Sequence, residues 1–314
     1  MSQTGVVVVT YNSADVIGRC LDSCAGLPVV VVDNASRDAT RALVQQRPSV
    51  KLISNTTNRG FAAAVNQGVA ALETELILLL NPDAELQTPI DPMAEACGRD
   101  GVGAAGGRLV DETGKVQSGF AVRRFPTPAA LSFEILGINR VLPRNPVNRR
   151  YRCQDIDLGQ PAEVDQPPGA FLIFSRDLWQ RLGGFDTQFH PLWFEDVDFC
   201  KRARDLGLKI QYVPQAIARH RGGHSVAEMD WGCRQVYWYV SLLRYALKHF
   251  RPYSYRGLNA AVVLGSICRA GVETIRRRSA RPLRVYAAVV KIAVLSMISG
   301  RVGKVEYWRS SGER

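Results

Sequence analysis

The chain of 314 residues has little of what staples small folds or builds structural metal sites. It carries four histidines and seven cysteines, the latter at 20, 24, 97, 153, 200, 233 and 268, and no two cysteines form a C-x-x-C pair. An odd, scattered set excludes a disulfide framework and a zinc-finger pattern. Reduced thiols in a cytosolic protein are the economical expectation, with Cys20 and Cys24 sharing one buried helix face. No basic stretch precedes the first apolar run at Val6, so a secretory signal is not expected. A bilayer-spanning helix needs about 20 apolar residues. The run at 285–298 is shorter and holds Lys291 and Ser296. Acidic residues are scarce in one region only: 231–314 has 16 Lys/Arg against 3 Asp/Glu, leaving 24 against 26 for residues 1–230. The net charge of +11 therefore belongs to the tail.

What is present is a large apolar fraction, 46%, arranged as short runs. Residues 5–10, 28–33, 50–54 and 75–80 read as buried strands. Helical segments separate them, the first two capped by Ser13 and Ser36 and the third being the Ala-rich stretch after Gly60. Strands alternating with helices predict an α/β fold with a mainly parallel sheet flanked by helices. Strands are also expected at 102–110 and 115–122, an irregular loop at 123–166, a strand at 169–174, helices at 176–182 and 195–206, and a strand at 209–213. Composition turns aromatic, aliphatic and basic beyond 230. This marks a catalytic-type domain at 1–230 and a helical, basic region at 231–314.

Acidic segments end several of these runs, and in an open α/β sheet ligands bind at the carboxyl ends of the strands. Asp33-Asn34 either contacts a ribose or base, or is an Asx-turn with a helix cap. Asn58-Arg59-Gly60, with Asn66 inside the following helix, is either a diphosphate-binding helix start or an ordinary capped helix. In Asn81-Pro82-Asp83, two oxygen-bearing side chains flank a turn-fixing proline and suit a hard cation such as Mg²⁺ or Mn²⁺; a plain β-turn is the alternative. Gly101-Val-Gly103-Ala-Ala-Gly106 has dinucleotide-loop spacing but precedes a strand, which excludes that role. Glu195-Asp196 opens a helix beside Pro191-Leu-Trp193-Phe194. A carboxylate partly desolvated by such surface is a better proton acceptor. His220-Arg221-Gly-Gly-His224-Ser225 offers a cation ligand and phosphate contacts, and its two glycines argue against a zinc pair on one helix face.

Taken in order, Val9-Thr10-Tyr11-Asn12, Val32-Asp33-Asn34-Ala35-Ser36, Asn58-Arg59-Gly60-Phe61 with Asn66, Asn81-Pro82-Asp83, Gly183-Gly184-Phe185-Asp186, Glu195-Asp196-Val197-Asp198 and His220 resemble the inverting family 2 glycosyltransferases of GT-A fold. Within that family the chain looks most like the bacterial rhamnosyltransferase branch. The resemblance covers about residues 5–225. It implies that Tyr11 and Asp33 hold the base and ribose of a nucleotide-sugar, that Asn58, Gly60 and Asn66 lie near base and diphosphate, and that Thr10, Asn12, Asn34 and Arg59 belong to the same nucleotide-sugar site. Asn81, Pro82 and Asp83 would form the metal-side turn, with Asp83 and His220 as ligands of a divalent cation. Asp196 would be the catalytic base supported by Glu195, with Gly169, Trp193, Arg221, His224 and Ser225 toward diphosphate or acceptor. Position 81 is Asn where many relatives have Asp, a weaker and neutral ligand. The QxxRW signature of processive synthases is absent, which points to single-sugar transfer.

The implied donor is dTDP-L-rhamnose and the implied acceptor a polyprenyl-diphosphate-linked glycan at the cytoplasmic leaflet. The alternatives are a sugar-1-phosphate nucleotidyltransferase and an inactive nucleotide-sugar-binding protein. In the tail, the aromatic segment 235–250 and the apolar run 285–298, with Arg276-Arg277-Arg278, Arg281 and Arg284 before it, suit an anionic membrane surface. A helical lid with solvated charges is the plainer alternative. No nucleic-acid module is evident, and the oligomeric state is left open.

Overall fold

The computed structural model describes residues 3–223 and 229–303. The chain forms two compact units: residues up to 125 with 152–191 and 195–225, and residues 126–151 with 192–194 and 226 onward.

In the first unit, β1 (Thr4–Thr10), β2 (Val29–Asp33), β3 (Val50–Ser54) and β4 (Leu76–Leu80) pair in parallel, with Val8 opposite both Val31 and Leu80. Their Val and Leu runs are continuous because helices cover both faces. Val6 and Val8 point into one core with Ile17, Leu78 and Met93. Val7 and Val9 point into the other with Val65, Leu79 and Phe199. Each fully buried side chain of this size contributes about 1.5–3 kcal/mol. The connecting helices are α1 (Ile17–Ser23), α2 (Thr40–Gln45) and α3 (Phe61–Ala70).

Beyond β4 the sheet is mixed. Its further strands are β5 (Ala84–Leu86), β6 (Val102–Val110), β7 (Ala162–Glu163), β8 (Phe171–Ser175) and β9 (Lys209–His220). The order is β3-β2-β1-β4-β8-β6-β9-β5, with β7 also on β9. β8 enters antiparallel between β4 and β6, and β9 runs parallel to β6. β9 is thus longer than the strand expected at 209–213, and that extension delivers His220. Three helices complete the unit's flanks: α4 (Asp91–Cys97), α8 (Arg176–Arg181) and α9 (Glu195–Asp205).

Several local expectations change. Residues 115–122 form turns with one bridge, Val110 to Val116, because the Asp111 carboxylate gathers the N–H groups of Thr113 and Lys115 into a tight turn. Ser13 and Ser36 do not cap helices. Ser13 N–H donates to Thr40 Oγ1, and Ser36 Oγ accepts from Asn12 N–H, so both knit loops together. The stretch 123–166 is not irregular throughout. It holds α5 (Pro128–Ile135), α6 (Ile138–Val141), α7 (Pro146–Tyr151) and β7. Two of its five prolines begin helices, Pro146 in α7 and Pro128 after the Thr127 cap, where the missing N–H costs nothing.

The second unit packs α5 with α10 (Trp231–His249), α11 (Pro252–Arg277) and α12 (Arg281–Ser299). The segment 235–250, expected at a membrane surface, is instead core: Val236, Tyr239, Val240, Leu243 and Tyr245 are all buried. Arg269 reaches from α11 to donate to the carbonyls of Glu134 and Ile135, closing the C-terminus of α5. By length and composition α11 and α12 are each apolar enough to cross a membrane.

Candidate active site

The leucine run of β4 ends in a turn built by its own residues. Asn81 accepts from Ala84 N–H at 3.0 Å, and the buried Pro82 fixes the corner between them. Asn81 N–H donates to the Ala170 carbonyl at 3.1 Å, tying the turn to the entry of β8. The next residue after the proline, Asp83, is buried. β5 then pairs with β9 so that Ala84 lies opposite His220, and Arg221 N–H donates to the Asp83 carbonyl. This register brings Asp83 Oδ1 to 3.4 Å from His220 Nε2.

His220 is held from the other side by Gln117. The Gln117 amide donates to the His220 backbone carbonyl at 2.6 Å, which leaves Gln117 Oε1 facing His220 Nδ1 at 3.1 Å. An amide oxygen only accepts, so Nδ1 carries a proton, and the neutral ring then has its lone pair on Nε2. Nε2 is buried without a hydrogen-bond partner. Phe120 stacks on the imidazole with centroids 5.3 Å apart. A carboxylate oxygen and an imidazole lone pair at this separation suit neighbouring vertices around a hard cation, whose ligands at about 2.1 Å lie roughly 3 Å apart. The residues fit a divalent cation. Among the described residues no group of three or more His, Cys, Asp or Glu could hold a metal.

Asp196 converges on the same strand entry. Its Oδ2 accepts from Gly169 N–H at 2.9 Å, and its Oδ1 from Val197 N–H at 2.8 Å. Gly169 directly precedes Ala170, whose carbonyl anchors the Asn81 turn. Two adjacent residues therefore link the carboxylate of α9 to the Asn81–Asp83 turn after β4. A carboxylate has about four acceptor positions, so Asp196 retains capacity for a further hydrogen bond. Its neighbour Glu195 is buried with Oε2 unpartnered. Burial, then the negative charges of Asp196 and Asp198, push the Glu195 carboxyl well above the usual carboxylate range. Trp193 and Phe194, which belong to the second unit, have φ of +75° and +70°, a strained conformation for bulky residues.

The expected nucleotide residues are close together, and most serve as braces. Asp33 is fully buried: Oδ1 accepts from Thr10 Oγ1, and Oδ2 accepts from Ser36 N–H and Arg41 Nε at 2.8 Å. Its Asx-turn and ion pair engage both oxygens and fill Oδ2, leaving one further acceptor position on Oδ1. Asn12, at φ +49°, accepts from Arg37 N–H and so links the loops after β1 and β2. Tyr11 beside it is half-buried. The buried Asn34 donates to the Gly60 carbonyl and accepts from Asn55, while Asn58 accepts from Gly60 N–H. Gly60 has φ +82°, and a Cβ there would lie 2.6 Å from His190 Nδ1, so only glycine fits. Arg59 is exposed, and its carbonyl faces His190 Nδ1.

Asn66 corrects an expectation. Its amide donates to the Phe185 carbonyl and accepts from Phe185 N–H and Trp179 Nε1, so it clamps the 183–186 loop instead of facing a diphosphate. Arg221 is exposed between Asp15 and Glu112 at 3.4 and 3.5 Å. His224 and Ser225 lie outside the described residues. Gln117, Phe120, Arg41 and Asn55 are site residues that the sequence did not single out. Gln117 and Phe120 meet His220 across about a hundred residues, and Asn55 meets Asn34 across 21, so no local pattern marks them.

Comparison with known proteins gives this arrangement its class. The family model described as Glycosyl transferase family 2 matches residues 5–176, and that described as Glycosyltransferase like family 2 matches 146–235. The chain belongs to glycosyltransferase family 2. It is 28% identical over 255 residues to the pre-mycofactocin glycosyltransferase of Mycobacterium tuberculosis, covering 78% of this chain and 47% of that protein. It thus spans about half the length of that relative. The rhamnosyltransferase WbbL of Escherichia coli is 24% identical, covering 70% of this chain and 83% of the relative. The hexosyltransferase Agl10 of Haloferax volcanii is 23% identical, covering 67% and 64%. Among solved structures, a mannosyltransferase from Pyrobaculum calidifontis in complex with GDP-Man and Mn²⁺ superposes with a TM-score of 0.51 at 19% identity, covering 95% of this chain and 87% of that one. GalNAc-T7 with UDP, GalNAc and Mn²⁺ gives 0.52 at 15% identity, covering 70% and 44%. The fold is GT-A, with helices added at the C-terminus.

Proposed function

We propose that the chain is an inverting glycosyltransferase that moves L-rhamnose from dTDP-L-rhamnose onto a polyprenyl-diphosphate-linked glycan at the cytoplasmic face of the plasma membrane. Residues 1–230 carry the transfer and 231–314 the membrane contact. One observation supports the chemistry most: Asp196 hangs on Gly169 N–H while the adjacent Ala170 anchors the turn that presents Asp83 to the lone pair of His220.

Asp196 accepts the proton of the acceptor hydroxyl as that oxygen bonds to the anomeric carbon. The bond from that carbon to the diphosphate breaks, and the nucleoside diphosphate departs with the electron pair. Attack and departure on opposite faces invert the anomeric centre. Glu195, its carboxyl raised above the usual range by burial and by the Asp196 and Asp198 charges, lies beside Asp196 as its support. Asp83 and His220 would hold Mg²⁺ or Mn²⁺, which when bound stabilises charge on the leaving diphosphate. Rhamnose rests on the resemblance to the bacterial rhamnosyltransferase branch and on the 24% identity to WbbL.

A thermal-shift panel of nucleotide-sugars with and without Mn²⁺ tests the reading. Selective, Mn²⁺-dependent stabilisation by dTDP-L-rhamnose supports it. Selective stabilisation by a UDP- or GDP-sugar keeps glycosyl transfer and discards rhamnose.

A further inference from the structure

Helix α11 is closed in on several sides by α5, α10 and α12 and bare on one. Its exposed positions recur as Tyr253, Gly257, Ala260, Leu264, Ile267, Gly271 and Ile275, the four- and three-residue steps of a single helix face. Tyr253, Leu264, Ile267 and Ile275 are 67%, 59%, 61% and 80% exposed, so this is no packing face. The stripe is about 33 Å long at 1.5 Å per residue. From Gly257 to Ile275 no charge interrupts it. The two charged residues within that stretch, Arg269 and Glu273, are turned off the stripe. Arg269 is spent on the α5 carbonyls, and Glu273 on Arg277 at 2.7 Å.

We infer that this stripe is the surface by which the protein lies on an anionic bilayer, with the axis of α11 in the plane of the interface. Charge identifies the occupant. Residues 252–299 contain eight Lys/Arg and one Asp/Glu. Arg251 and Arg256 flank the stripe at its start, and Arg276, Arg277 and Arg278 end it. Apolar side chains along one line with guanidinium groups at both ends match acyl chains bordered by acidic headgroups. With its other sides covered by α5, α10 and α12, the helix offers a bilayer this one face. Exposed Leu295 and Ile298 on α12 extend the apolar surface of the same unit. The segment 235–250, buried as α10, does not take part.

This inference deepens the membrane part of the proposed function and is independent of the sugar chemistry. Its test is flotation of the full-length protein with phosphatidylcholine vesicles, with and without phosphatidylglycerol, for the wild type and the double variant Leu264→Glu/Ile267→Glu. Both positions are exposed, so the variant should fold, which circular dichroism and Mn²⁺-dependent nucleotide-sugar binding check on the same samples. The wild type should float with phosphatidylglycerol vesicles, and the variant should partition at least tenfold less. A variant that floats like the wild type overturns the assignment to α11 even if the protein is membrane-bound. A wild type that binds nucleotide-sugar but no vesicle overturns membrane docking and leaves the transfer reading standing. A wild-type dimer that the variant makes monomeric, with no vesicle binding, assigns the stripe to a second copy of the chain and overturns the proposal.

Discussion

Gln117 and His220 hold each other twice, through backbone carbonyl and ring nitrogen, although 103 residues separate them. The pairing decides which imidazole nitrogen faces Asp83. Without it the ring could carry its proton on Nε2, where a hydrogen cannot serve as a cation ligand. Gln117→Leu should therefore weaken Mn²⁺ binding by about ten- to a hundredfold, as removal of such outer partners generally does. Electron paramagnetic resonance of free Mn²⁺ would measure it, with His220→Ala as the reference for a lost ligand. An unchanged Mn²⁺ affinity in Gln117→Leu would show that the tautomer is set otherwise.

Asp196→Asn isolates proton acceptance from positioning. The amide keeps the shape of the carboxylate but cannot take a proton, and it can satisfy only one of the two N–H groups that now face Asp196. Transfer should fall by on the order of 10²–10⁴. Nucleotide-sugar affinity should change little, because Asp83 and His220 are untouched. Calorimetric donor titration beside a product assay separates the two. Near-normal turnover in this variant would remove Asp196 from the role of base.

The parts of this molecule that sequence reveals are those with local causes. Continuous apolar runs marked β1 to β4, and a proline between two polar residues marked the turn at Asn81. Tertiary causes stayed hidden. Nothing near Gln117 says that it will meet His220, and nothing near Asn66 says that its amide will clamp Phe185. The carboxylate of Asp33 was legible as either ligand or turn residue. Arg41 in the following helix turns it toward structure, through a pairing at 2.8 Å that propensity does not foresee. Likewise the aromatic pattern of 235–250 fits a membrane surface or a helical core equally well. Only the packing of α10 decides.

Glu195 should leave a signature in stability against pH. In the unfolded chain its carboxyl titrates near about pH 4.3, whereas burial and the Asp196 and Asp198 charges raise it in the fold. Between those values the folded state binds the extra proton, so this group's stabilisation is complete below the unfolded value and declines as pH rises. The slope is at most about 1.4 kcal/mol per pH unit. Glu195→Gln removes the titration. Its urea midpoints should match the wild type in acid and exceed it at neutral pH. Parallel curves for the two proteins would mean that Glu195 ionises in the fold as it does in the unfolded chain.

Gly60→Ala should be costly for two separable reasons. The backbone at φ +82° disfavours any L side chain, and the added methyl would meet His190 Nδ1 at 2.6 Å and the Pro191 carbonyl at 3.1 Å. Strain of the first kind is worth about 1–3 kcal/mol. The clash adds to it only while the imidazole stays in place. The double variant Gly60→Ala/His190→Ala should therefore recover part of the loss, the share owed to the ring, while the φ penalty and the backbone contact remain. Thermal unfolding of both variants measures the split. Full recovery would assign the whole cost to His190, and no recovery would assign it to the backbone that Asn34 and Asn58 hold in place.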